Sequence, residues 1–183
     1  MNLPIGHCLM LQNALAAIAE TYVGLTEVGG DNQGQMVERF QRAVDGKAQK
    51  EAWCLALVWH CILEAQVLCE KITMQSFEEQ PELFKTEHVM TMWNKSPKIQ
   101  RITEPAPGVL ALWQHFKNGK ATGMGHVGII TRHITGTSVL DVEGNTSNPD
   151  HGMVRNGDGI YLKKRDLKYY YGSLRPVGLL SVW

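Results

Sequence analysis

Apolar residues recur at helical spacing in three stretches of the first part of the chain. Leu11, Leu15, Ile18 and Tyr22 mark one face, which ends at Gly24 and the Gly29-Gly30-Asp31-Asn32 loop. Met36, Val37, Phe40 and Val44 mark a second, stopped by Asp45-Gly46. The third is the most regular. Cys54, Leu57, Val58, Cys61, Ile62 and Ala65 occupy i, i+3, i+4, i+7, i+8 and i+11, which predicts a helix that begins at Cys54 and buries this stripe. Residues 70–106 are polar and punctuated by prolines, with room for a short helix around Leu83 to Met92. After Pro107-Gly108 the texture changes to short apolar runs: Val109 to Trp113, Val127 to Thr131, Val139 to Val142 and Ile160 to Leu162. Helices first and antiparallel strands second predict an α+β fold in which the N-terminal helices, the third above all, pack on a C-terminal sheet.

With 183 residues, 44% of them hydrophobic, the chain has material for one sizeable core, so residues 1–183 are read as a single domain. Lys plus Arg and Asp plus Glu both total 18, which removes a global field that would gather nucleic acid or an anionic surface. No run of about 18 apolar residues occurs, so membrane insertion is not expected. Ala14-Leu15-Ala16 imitates a signal-peptidase site, but the first Lys or Arg is Arg39 and the charged leader segment is missing; synthesis in a cytoplasm without a signal peptide is expected. Cys8, Cys54, Cys61 and Cys69 form no C-x-x-C pair, and no H-E-x-x-H occurs, so neither a metal site nor a cofactor is expected.

Amide cleavage by a thiol needs a cysteine beside a histidine and a polar group that orients the imidazole. Cys54 lies in the first turn of its helix, where unpaired N–H groups favour an anion, whereas Cys61 and Cys69 read as core residues. His126 stands in Gly125-His126-Val127-Gly128, whose glycines permit a close approach by another chain or a substrate. If Thr135-Gly136 is the hairpin turn, facing positions sum to 271, which sets Asn145 opposite His126 and Glu143 diagonally near it on the same face. Both are candidate orienters. His60 points away from Cys54 around the helix and His133 falls on the other strand face, while spacing leaves His115 and His151 open.

These motifs, in this order, resemble a CHAP-domain amidohydrolase, a papain-like cysteine peptidase family common among phage endolysins and bacterial wall hydrolases. Gly24-Leu25-Thr26-Glu27 with Asn32, Trp53-Cys54-x-x-x-Val58, Pro107-Gly108, Gly125-His126-Val127-Gly128 and Val142-Glu143-Gly144-Asn145-Thr146 carry the resemblance, which spans about residues 20–176. It implies a papain-like fold and hydrolysis of an amide in bacterial peptidoglycan, as an N-acetylmuramoyl-L-alanine amidase or a stem or cross-bridge endopeptidase, through an acyl-enzyme thioester. Cys54 would be the nucleophile, His126 the base and later acid, Glu143 the orienter, and Asn145 a support for the imidazole or the oxyanion. The expected protein is a monomer without a separate wall-binding domain, delivered to the wall by a phage-type lysis or injection route. The alternatives are an amidase for a non-wall peptide-like substrate and a catalytically silent binding or structural module. Val109 replaces an aspartate frequent after Pro-Gly in the family, and no Asp-rich loop precedes Cys54 as in its calcium-binding members.

Overall fold

A computed structural model describes residues 5–74, 81–148 and 157–183. Among the described residues, four α-helices precede the main sheet: α1 (Ile5–Thr21), α2 (Gln35–Asp45), α3 (Cys54–Thr73) and α4 (Val89–Lys95). Gly46 closes α2 in a left-handed conformation with its N–H on the Arg42 carbonyl, the stop expected at Asp45-Gly46. The region of residues 70–106 holds α4, displaced toward the C-terminus from the expected Leu83 to Met92, and a 3-10 turn at Lys98–Gln100.

Six antiparallel strands follow, β1 (Arg101–Ile102), β2 (Leu110–Lys117), β3 (Lys120–Thr135), β4 (Ser138–Thr146), β5 (Gly159–Asp166) and β6 (Leu174–Leu180), in the spatial order β1-β6-β2-β3-β4-β5. The architecture is α+β; α1, α3 and α4 pack on the sheet, and α2 packs on α3. Strand β6 went unread in the sequence because Pro176 and Gly178 interrupt its apolar pattern. It is accommodated by a register shift where Pro176 meets Trp113.

Val127, Ile129 and Val142 face the main core with Leu110, Leu112 and the buried half of α3. Trp113, Ile130 and Val139 form a second cluster on the other sheet face. From Trp53 to Ile62 every residue of α3 and its cap is buried, so the helix is central rather than merely amphipathic. Trp53 stacks on Phe40 at 5.8 Å, and Phe40 meets Tyr22 edge-on at 5.3 Å, which ties the start of α3 to α1 and α2. Among the described residues no helix is long and apolar enough to cross a membrane.

Candidate functional site

Cys54 opens α3, where the first-turn N–H groups have no intrahelical acceptor; the Leu57 N–H is the first to bond back, to the Trp53 carbonyl at 3.0 Å. Cys54 is 7% exposed. His126 comes from β3 and is 8% exposed, with its Nε2 2.9 Å from Glu143 Oε2. The Cys54 thiol lies beside the same ring, near enough to act on its protonation. Burial disfavours the charged ring, but the Glu143 carboxylate and the hydrogen bonds to Cys54 and Glu143 outweigh it and push His126 up to about 10. The ring is therefore an imidazolium at neutral pH.

Glu143 is fully buried and is the hub of the site. Arg165 grips it with two prongs, Nε to Oε1 at 2.6 Å and Nη2 to Oε2 at 2.8 Å, and the Thr146 hydroxyl donates to Oε2 at 3.3 Å. Burial alone would raise this carboxyl; the charges and hydrogen bonds of His126 and Arg165 instead hold it well below the usual carboxylate range. Arg165 is itself sandwiched between Trp113 and Tyr171, with its guanidinium 5.6 and 4.4 Å from their ring centres.

Beside this pair lies Asp141, also fully buried. Burial, then the Glu143 charge, raises it well above the ordinary value. As a carboxylate, neither oxygen would have a donor; carrying a proton, it can donate to Glu143. The two carboxyls pack over Gly128, where a Cβ would collide with both side chains. The close approach anticipated at that glycine is thus made by the chain's own carboxyl pair.

The hairpin register carries a correction. Gly128 pairs with Glu143, Ile129 with Val142 and Ile130 with Asp141, which is the expected register, yet the turn pairs Thr135 with Ser138. Two register shifts, between Ile130 and Arg132 and between His133 and Thr135, absorb the difference. Past Gly128 and Glu143 the ladder ends, and Asn145 takes a left-handed φ of 51°. The expected pairing of Asn145 with His126 does not form.

Asn145 instead braces the start of α3. It lies 2.6 Å from the Asn32 side-chain amide. With its carbonyl oxygen turned toward the helix it accepts from the Trp53 backbone and indole N–H groups at 3.2 and 3.1 Å, Asn32 then donating. The Trp53 indole also donates to Glu27 Oε1 at 2.7 Å. Glu27, Asn32, Trp53 and Asn145, from three motifs spread along the chain, thereby fix the first turn that presents Cys54.

The other candidates separate by their partners. His60 bonds to the Tyr22 hydroxyl at 2.9 Å and to Glu64, and His133 to the Gly136 carbonyl at 2.9 Å. His115, from β2, meets Ser173 at 3.4 Å; burial and then the charge of nearby His126 lower it. It flanks the site without a carboxylate partner. His151 lies outside the described residues. Cys61 and Cys69 are fully buried, and burial raises both thiols, as suits core residues.

Sequence reading missed Arg165 and Asp141. Leu162-Lys163-Lys164-Arg165 reads as the solvated end of a strand. The alternation Val139, Asp141, Glu143 on one strand face was the available signal for a buried carboxyl pair. No protein-family model, no curated protein and no solved structure matches the chain.

Proposed function

We propose that this protein is a cysteine-dependent amidohydrolase of bacterial peptidoglycan with a papain-like, CHAP-type fold. The observation that carries the reading is the His126 ring bonded to the buried Glu143 carboxylate and lying beside the Cys54 thiol, which opens a central helix. Thiol, imidazole and carboxylate in series are the parts an acyl transfer requires.

In this mechanism Cys54 attacks the amide carbonyl carbon as a thiolate, and the C=O pair moves to oxygen. The unpaired N–H groups of the first turn of α3 favour that oxyanion. His126, already an imidazolium, gives its proton to the departing amine as the C–N bond breaks and a thioester forms. The neutral ring then takes a proton from water as the water oxygen attacks the thioester; the C–S bond breaks, the acid leaves, and the thiolate and imidazolium are restored. Glu143, clamped by Arg165, keeps the ring oriented and charge-balanced throughout. Wall peptidoglycan as the substrate follows from the resemblance of the motifs, not from the geometry.

The test is incubation of the full chain with purified peptidoglycan, with the released fragments identified by mass. New amine and carboxyl ends at one amide are expected, with loss of at least about a thousandfold in Cys54→Ala and near-normal activity in Cys61→Ala. A folded Cys54→Ala variant retaining activity would overturn the mechanism. Intact peptidoglycan beside cleavage of another peptide-like amide would overturn only the substrate.

A further inference from the structure

The outer half of α3 carries a face that the fold leaves uncovered. After Ile62 the helix emerges from the core, and Leu63, Val67, Leu68 and Ile72 are 42, 47, 39 and 65% exposed. Glu64 and Lys71 stand among them. These six residues cover about half the helix circumference at about 100° per residue. Grooves of about 550 and 520 Å³ flank them, one toward Arg39 and Ile18, the other toward Leu9 and Ala17 of α1, with Leu68 on the ridge between. A surface helix ordinarily turns charged residues outward; here Glu64 and Lys71 run along the middle of the exposed face, flanked by exposed Leu63, Val67, Leu68 and Ile72.

The order of the six residues selects the occupant. The set is symmetric about the point between Val67 and Leu68: Leu63 corresponds to Ile72, Glu64 to Lys71, and Val67 to Leu68. An antiparallel copy of α3 related by a twofold axis at that point sets apolar against apolar and acid against base at every position, twice over. An isologous interface requires this self-complementarity, and an unrelated partner or a lipid surface does not. Glu64 is held in place for it, with Oε1 accepting from Arg39 at 3.1 Å and Oε2 from the Tyr22 hydroxyl at 2.7 Å, while its side chain stays 33% exposed. Lys71 is exposed and makes no salt bridge among the described residues.

We infer that the protein forms an antiparallel homodimer through the Leu63–Ile72 face of α3. The Leu68 ridge of each copy seats in a groove beside the α3 of the other. This departs from the monomer expected from the sequence. Cys54 lies about thirteen residues, or about 20 Å, from the axis along α3, so the two thiols sit about 40 Å apart, at opposite ends of the helix pair. The inference is independent of the proposed chemistry.

The test is sedimentation equilibrium of the full chain. A species of twice 20.5 kDa is expected for the wild type and 20.5 kDa for Val67→Glu/Leu68→Glu, whose substituted positions are already exposed and leave the fold intact by circular dichroism. Lys71→Glu, which sets two acids against each other, should weaken association about tenfold or more. In a Cys54→Ala background, Leu68→Cys should oxidise to a covalent dimer and Val28→Cys, exposed on the far loop, should not. A wild type that stays at 20.5 kDa, with Leu68→Cys no faster to cross-link than Val28→Cys, overturns the dimer. Binding of that monomer to lipid vesicles, lost in Val67→Glu/Leu68→Glu, would assign the face to a membrane surface instead.

Discussion

Replacing Glu143 by Gln removes the charge that keeps His126 protonated while preserving shape. The ring stands at about 10 against an ordinary 6.5, which corresponds to about 5 kcal/mol in favour of the imidazolium. Burial opposes the charge, so without the carboxylate the ring should fall to or below its ordinary value. In the proposed mechanism the attacking thiolate then loses its cation at neutral pH. Alkylation of Cys54 at pH 6, followed by intact mass, reads this without any substrate. An ordinary thiol near ~8.5 is only about 0.3% ionised there, so Glu143→Gln should slow the reaction on the order of a hundredfold, and the two proteins should converge in alkali. His126→Ala should behave the same way. The substitution also strands Arg165 inside the protein, at a cost of about 3–5 kcal/mol. Glu143→Gln combined with Arg165→Met, which leaves no unpaired charge between Trp113 and Tyr171, should recover the stability and not the reactivity. Equal alkylation rates at pH 6 in the wild type and a folded Glu143→Gln variant would refute the proposed control of the site by Glu143.

Asp141→Asn tests the neutral acid. Its folded-state value is raised, so the folded protein keeps a proton that the unfolded chain has released above about 3.8, and stability declines as pH rises from there. The amide has no such dependence; the melting temperature of Asp141→Asn should exceed that of the wild type at pH 8 and lose this advantage below about 3.8, and a loss at pH 8 would show that Asp141 works as a carboxylate. Asn145→Ala should release Trp53 and Asn32, destabilise by about 1–2 kcal/mol and lower turnover. The alkylation pH profile should stay unchanged in shape, because Asn145 does not bond the ring; a profile shifted toward that of His126→Ala would contradict the bracing role.

Some of the site was present in local pattern alone. The i, i+3, i+4 stripe placed Cys54 at a helix start because helical periodicity is set by neighbours a few residues apart, and β-alternation put Glu143 on the face of His126 for the same reason. Two competing histidines were also within reach, since His60 and His133 point away along their own elements, while His115 and His151 stayed open. Beyond the His126–Glu143 pair, local pattern did not set the site's contacts across the chain. The register at Gly128 matched the expected sum although the turn lies one residue farther on, because two bulges compensate; bulges depend on what packs on each strand, which the hairpin sequence does not state. The same dependence moved Asn145 from the imidazole to Trp53, through a left-handed residue where the ladder ends. Arg165 carried no signal in the sequence, because β5 sets it between Trp113 and Tyr171 and onto Glu143, and Trp113 and Glu143 come from other strands. A side chain's own type thus predicted its chemistry, whereas its partner and its protonation state were decided by the tertiary structure, because burial and opposing charges act through space and not along the chain.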